Sequence, residues 1–580
     1  MIAQHEVRLG SCIHKILHSR AGCTRIDREN AFSAWMRSEA RKLGAIAHDL
    51  FPGAVRLPPD DAAGLAQRTA AVIAAGGTVA GATFANEAAA CRVDFAARAS
   101  TALRLYQVVP RCVDLEQHGR SLEFQTQAGT LQKEWRGHLE DMALRVWIVQ
   151  QLWPKLRVLP FFISPIRGAS VKVEGLHSFF EERGEDLVLT DSSVATEASA
   201  ILRTIGVGGE CASLVEEVPG KIAALERALQ NPPPPVIGYR CKKCEFRTPG
   251  ADSGFVRCWG PLAGVSPSMF DVGYMYFIQD ANKRPVADRL AREGRVSMYD
   301  IPVDRIKGGH ARRQLVQIEG TKTGAEYLDQ ALTEKLDGDY PHHFLDIETI
   351  RSVMPVHARV KVNQLTCFQF SSHRRESPAG ELTHHGWLNT LPEDPNRDFL
   401  ASLRAVLGDT GTIYVWTHYE EQSFAEILAE LIDDDDDSED LRWLNQLLVG
   451  GRIVDLHELC FDHYWHPRMG GRTSIKVVLP AIWSVDSPVK RRSPFNEFPA
   501  DIDPYTFLKA NGMVSDGVGA MESYLRSLQG DSSARHLASE ELWKYCAVDT
   551  LAMVYVYDFW RWRLGNLKPD SPIVVGLDAG

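Results

Sequence analysis

Apolar and polar positions alternate along the chain in ways that predict two sheet-bearing regions separated by a polar one. In the carboxy-terminal part, "HHFLDIE", "LTCFQFSSH" and "TIYVWTH" read as strands. They are followed by helical stretches at "EEQSFAEILAELI", "LRWLNQLLV" and "SEELWKYCAVDTLAMVYVYDFWRW". Within the strand at 342–350, Phe344 and Ile347 are expected on one face and Leu345 on the other. Asp346 and Glu348, two apart, are expected to project from the same side. The amino-terminal part mixes a helical stretch, "ENAFSAWMRSEARKLGAIAHDLF", with strand-like "ACRVDFAARA" and "LRLYQVV". It closes on "NPPPPV" (231–236), where four prolines stop any helix. Between the two, "KRPVADRLAREGRVSMYDIP" reads as a helix, a glycine stop and a turn. The expected division is 1–260, a helical connector at 261–335, a third unit at 336–567 and a tail at 568–580. The fold class is multidomain α/β, with strands preceding helices that cover them.

Composition narrows the function classes. At 580 residues, 44% apolar and 24% charged, the chain has the make-up of a globular protein. Charges in "MIAQHEVRLGSCIHK" argue against a signal peptide, and apolar runs such as that around "LRVLPFFI" are too short for a membrane span. These features suggest a cytoplasmic protein. A net charge of −11 rules out whole-molecule attraction to nucleic acid but leaves room for a local basic groove. Part of that deficit is the run "DDDDDSED" (433–440), expected as a solvated loop or the start of a helix. Eleven cysteines in a cytoplasmic setting argue against a disulfide framework.

Two neighbouring acids on one strand face repel each other unless solvent or a divalent ion separates them. Further acids follow: Glu420 sits where a strand meets a helix, and Tyr545 and Asp549 are four apart on a late helix and share its face. A buried aspartate there needs a cation or a donor. In order, Asp-x-Glu, an acid at a strand–helix junction and Tyr-x-x-x-Asp resemble the DnaQ-like (DEDDy) exonucleases of the ribonuclease H-like fold. The resemblance implies that Asp346, Glu348, Glu420 and Asp549 hold two Mg²⁺ or Mn²⁺ ions and that Tyr545 places the attacking water. The second motif departs from the family's usual Asp, reading "VWTHYEE", so Glu421 is an alternative to Glu420. Asp455 in "RIVDLHELC" is an extra acid expected to orient structure. Lys476 is either a phosphate contact or a surface lysine at a helix start, and the histidines of "HYWHP" are expected in a packed aromatic loop.

A second group is Cys241-x-x-Cys244 with Cys258 thirteen or so residues on, a metal-ligand spacing that lacks its fourth member. The runs "FLDIET", "RIVDL", "GGRTSIKVVLPAIW" and "YCAVDT" resemble a bacterial family joining a RecB-like front end to a DnaQ-like back end. Similarity to four-cysteine RecB-type nucleases, including those of CRISPR adaptation, implies a [4Fe–4S] cluster. Its fourth ligand would be Cys12, with Cys23 in reserve and zinc as the alternative occupant. In that family an Asp is followed on the next strand by Glu-x-Lys. Here Asp94 fits the first position, but Gln107 and Val109 replace the pair and Arg145 stands where glutamine is common. Valine can neither carry charge nor donate a hydrogen bond. A restriction-endonuclease-like domain that has lost catalysis is therefore expected, unless Asp114 or Glu116 substitutes. The implied activity is a metal-dependent three-prime exonuclease acting on nucleic acid, DNA ahead of RNA, with protein partners in a defence or repair system. The alternative is an inactive nucleic-acid-binding or assembly subunit of such a system.

Overall fold

The computed structural model describes residues 2–3, 12–26, 31–58, 60–115, 122–184, 186–250, 252–433, 438–492, 495 and 498–565. Glu116, the 568–580 tail and positions 434–437 of the acidic run lie outside the described residues. Ser438 caps the helix that begins beyond that run, its side chain accepting from the Leu441 N–H.

After a two-residue strand at Ile2–Ala3, the described chain continues with three helices: α1 (Ile13–Arg20), α2 (Ala31–Ala47) and α3 (Ala62–Ala74). They precede an antiparallel meander of β1 (Thr78–Ala85), β2 (Ala89–Ala99) and β3 (Ala102–Val108). Helix α4 (Lys133–Leu152) then crosses over to β4 (Arg157–Pro165), which pairs parallel to β3, and β5 (Leu202–Gly206) adds antiparallel to β4. Trp135, Leu139, Met142 and Val149 of α4 share one core with Val93, Leu103 and Leu105 of the sheet. The long helix α5 (Gly208–Gln230) packs on the same core through Leu214, Val218 and Ile222. It ends directly before the proline run, where no further N–H donors are available to extend it.

The cysteine segment does not stand apart from the connector. Phe255 and Trp259 of α6 (Gly254–Trp259) share a core with Met269, Phe270, Leu290 and Ile301. That core reaches Ala311, the first residue of α7 (Ala311–Thr323). Buried Arg313 of α7 donates to the carbonyl of Cys460, anchoring the connector to the carboxy-terminal unit.

That unit is built on five strands in the order β8-β7-β6-β9-β10. They are β6 (His342–Ile350), β7 (Thr366–Arg375), β8 (Leu382–Leu388), β9 (Thr412–Val415) and β10 (Ile453–Asp455). The first three pair antiparallel, while β9 and β10 continue parallel to β6. Leu345 and Ile347 of β6 face a core formed by α8 (Asn396–Leu407), α9 (Tyr419–Asp433) and α10 (Glu439–Val449). Phe344 faces the opposite core with Val548 and Met553. The expectation that Phe344 and Ile347 share a face is therefore wrong. Positions three apart on a strand point to opposite sides, so Phe344 goes with Asp346 and Glu348. That second layer holds α11 (Leu456–His463), α12 (Ile475–Trp483), α13 (Pro504–Ala510), α14 (Gly517–Ser527) and α15 (Ser532–Gly565). Among the described residues no helix is long and apolar enough to cross a membrane.

One buried carboxylate joins the two ends of the molecule. Glu39 of α2, 1% exposed, accepts from the Ser352 hydroxyl and from the Met354 N–H (3.1 Å), and Lys42 lies 3.1 Å away. Replacing it removes the acceptor of the buried Ser352 hydroxyl and the ion pair of Lys42, while the Met354 N–H keeps its bond to Ser352 Oγ (3.0 Å). Glu39→Ala is expected to cost about 1–3 kcal/mol in chemical denaturation. Glu39→Gln, which keeps an acceptor oxygen, is expected to cost less. Equal stability of wild type and the alanine variant would show that the contact does not hold α2 in place.

Candidate metal centre

The acids meet because a polar ladder docks α15 onto β7. Gln369 Nε2 donates to the Leu542 carbonyl (3.0 Å), Ser371 Oγ lies 2.9 Å from Thr550 Oγ1, and His373 Nδ1 lies 2.7 Å from the same hydroxyl. Ser371 is the cross-strand partner of Asp346, and Thr550 follows Asp549 on the helix, so the ladder sets Asp549 over the strand that carries Asp346. Just past Glu348 the β6–β7 ladder shifts register, a bulge that re-aims the strand end. Glu420 arrives in the first turn of α9, immediately beyond the end of β9.

Burial is the leading influence on these groups. Asp346, Glu348 and Glu420 are all held well above the ordinary carboxylate range, first by desolvation and then by a neighbouring carboxylate, Asp549 for Asp346 and Asp346 for the two glutamates. Asp549 adds to the rise at all three, and Lys476 opposes it at Asp346 and Glu348. The Cys546 thiol, itself held protonated by burial and by these acids, donates to Asp346 Oδ2 at 3.4 Å. Glu420 Oε2 is buried without a hydrogen-bond partner.

The late helix contributes a second pair of groups. Lys476 at the start of α12 places Nζ 2.6 Å from the Tyr545 hydroxyl and 3.8 Å from Asp549 Oδ2. Tyr505 of α13 donates its O–H to Asp549 Oδ1 at 2.5 Å. Both phenols are pushed well above their usual pKa by burial and by Asp549, so both stay protonated. Lys476 is thus neither an isolated surface lysine nor free to leave the acids. Tyr505 and Cys546 went unnoticed in the sequence, because their placement depends on helices that meet only in the folded chain.

Of the alternatives, Glu421 turns toward His418 (3.4 Å), whose other ring nitrogen lies 3.5 Å from Asp455, and it is not among the charges that raise Asp346, Glu348 or Glu420. Asp455 caps α11, its Oδ1 accepting from the His457 and Glu458 N–H groups, while its charge also raises Glu420. In "HYWHP", Tyr464 and Trp465 are fully buried, His463 faces Asp329 at 3.2 Å, and His466 caps the following turn. Crowded buried carboxyls, which a bound cation would let ionise, and an unpartnered carboxylate oxygen are what a hard divalent ion requires. The residues present fit such ions.

In the amino-terminal sheet, Asp94 on β2 accepts from Gln107 Nε2 (2.5 Å) and the Val108 N–H (2.6 Å). Burial holds Asp94 above the ordinary carboxylate range, a rise that the Val108 N–H and then the buried Arg145 guanidinium offset only in part. Val109 is in the core, 1% exposed. Asp114 donates its N–H to Glu123, which also accepts from Trp135. The cation beside Asp94 is therefore a side chain of the protein itself.

The thiols form the third group. Cys12 stands at the start of α1, Cys241 and Cys244 lie in and after the turn Tyr239–Lys243, and Cys258 lies in α6. The Cys258 thiol is pushed up to about 12 by burial and by Cys12, Cys241, Cys244 and Cys23 together. Lys15 pairs with Glu245 at 2.7 Å, and the Ile26 N–H donates to the Glu245 carbonyl, so the two ends of the domain are fastened here. His18, absent from the sequence reading, places Nε2 3.1 Å from Cys258 Sγ. It fits there because Gly254 has no Cβ, which would stand 2.6 Å from the imidazole. Converging thiols fit a thiolate-held group, and His18 adds an imidazole beside it.

Residues 343–474 match a family model described as a domain of unknown function, DUF2779. The match contains Asp346, Glu348, Glu420 and Asp455 and stops before Lys476, Tyr505, Tyr545 and Asp549. No curated protein and no solved structure matches the chain.

The raised carboxylates carry a pH signature. Their folded-state pKa values lie above the unfolded ones, so stability from this cluster is greatest at low pH and is lost as pH rises through the raised values. In chelator, Asp346→Asn should remove part of that loss and raise the melting temperature at pH 8, on the order of 2–4 °C per kcal/mol relieved. The gain should shrink toward pH 5. A variant that melts lower than wild type at pH 8 would contradict the electrostatic reading.

Proposed function

We propose that the carboxy-terminal unit is a metal-dependent exonuclease that hydrolyses phosphodiester bonds from the three-prime end of nucleic acid. The carrying observation is the convergence of Asp346, Glu348, Glu420 and Asp549 from β6, α9 and α15 against a single lysine. The mixed sheet, three antiparallel strands continued by two parallel ones with acids on the central strand, supports a ribonuclease H-like unit.

Asp346, Glu348, Glu420 and Asp549 would hold two Mg²⁺ or Mn²⁺ ions. When bound, these ions supply positive charge to the scissile phosphate and lower the pKa of the attacking water. The protein's own groups set the geometry. Lys476 N–H donates to the Tyr545 oxygen, leaving the phenol O–H free to orient a water toward the phosphorus. Because that phenol stays protonated, Tyr545 acts as a positioning donor and not as a base. Tyr505 fixes the plane of Asp549, and Cys546 that of Asp346.

The amino-terminal unit, with a meander, a crossover helix and a parallel strand, supports a RecB-like scaffold. Arg145 beside Asp94 and valine at position 109 favour a binding role there over catalysis. Cys12, Cys241, Cys244 and Cys258 would hold a [4Fe–4S] cluster, zinc being the alternative. Anaerobically purified protein is expected to carry about four irons and matching acid-labile sulfide per chain, lost in Cys258→Ser. Stoichiometric zinc without iron would assign the site to zinc.

With Mn²⁺ and labelled single strands and duplexes, Asp346→Ala and Asp549→Ala should each lose at least about 100-fold in kcat. Glu420→Ala should fall similarly, whereas Glu421→Ala should stay near wild type. Equal activity in the Asp346 and Asp549 variants would remove the exonuclease reading and favour an inactive binding subunit.

A further inference from the structure

Next to Glu348 is an open cavity of about 440 Å³ whose walls come from both ends of the chain. Phe32 at the start of α2 forms one side. Thr349, Tyr419 and the start of α14, with Asp516 and Met521, form the rest. Phe32 is 55% exposed and Tyr419 is 43% exposed, two aromatic rings left open at a concave mouth. The Tyr419 hydroxyl is held by Thr349, one residue beyond Glu348.

Phe32 is fixed from behind. One turn on, Trp35 is 6% exposed in a core with Ile350, Leu542 and Tyr545, so α2 is seated in the same core as the phenol of the acid site. Two turns on, Glu39 is bound to Ser352 and Met354. The ring therefore keeps its place beside the acids without contacting them through its own chain.

The cavity's charge restricts what can enter. Among the described residues lining it are two carboxylates, Glu348 and Asp516, and no lysine, arginine or histidine. Phosphate finds no cationic partner among these residues. A flat, uncharged ring with exocyclic amines is attracted, to the aromatic faces and to the carboxylate rim.

We propose that this cavity binds the base of the terminal, unpaired nucleotide, stacked against Phe32 and Tyr419, while its phosphate lies over the acid cluster. This rests on the exonuclease reading and deepens it. The substrate end must be single-stranded, because a paired base cannot enter. The amino-terminal unit also supplies part of the substrate site.

The test uses full-length protein and an oligonucleotide with 2-aminopurine at its three-prime end, joined by a phosphorothioate linkage to slow hydrolysis. A second oligonucleotide carries the probe several nucleotides inward. Stacking should quench the terminal probe and not the internal one. Phe32→Ala should abolish the terminal quenching and weaken binding about tenfold or more, while Phe32→Trp retains both. Mn²⁺-dependent thermal stabilisation, read in the same variants, should be unchanged, separating a lost base contact from a lost fold. Equal terminal quenching in wild type and Phe32→Ala would overturn the cavity assignment. Phe32-dependent quenching in a protein that hydrolyses no natural linkage would instead overturn the exonuclease reading and leave the base site standing.

Discussion

Mutual repulsion of carboxylates removed from water is the constraint around which the carboxy-terminal unit is arranged. Asp346, Glu348 and Glu420 are each driven toward their neutral forms by burial and by their neighbours. Such a cluster persists only if other contacts force it together. The forcing contacts are the Gln369, Ser371 and His373 ladder to α15 and the two apolar layers on either side of β6. Lys476, Tyr505 and Cys546 relieve part of the strain, each bound to one member of the cluster or to its phenol. Energy stored this way is available to whatever cation enters.

The same logic separates the two sheets. Asp94 in the amino-terminal sheet is also buried, but Gln107, the Val108 N–H and Arg145 satisfy it from within the protein. One sheet gathers several carboxylates against one another, whereas the other holds a single buried one beside the protein's own arginines, the contrast on which the proposed division of roles rests. The amino-terminal unit still reaches the half that holds the acid cluster: α2 inserts Trp35 into the core that contains Tyr545 and anchors itself through Glu39.

What the sequence made legible was local in character. A period of two put Asp346 beside Glu348, and a spacing of four put Tyr545 beside Asp549, because each relation is internal to one element. The choice of Glu420 over Glu421 required the orientation of α9, which turns one inward and the other to His418. Tyr505, Cys546 and His18 carry no local signal, since each matters only through a partner that the fold brings to it: Asp549, Asp346 and Cys258. Phe32 is more distant still, lying over 300 positions from the glutamate whose cavity it lines. The misplacement of Ile347 beside Phe344 was of another kind: a miscounted parity, which the strand geometry itself forbids.

The most direct test of the central claim is anomalous diffraction from crystals soaked in Mn²⁺. The account predicts two peaks about 3.5–4 Å apart. Both should lie within coordination distance of oxygens from Asp346, Glu348, Glu420 and Asp549. Density confined to the thiol group near Cys258, with the four carboxylates empty at saturating Mn²⁺, would contradict it.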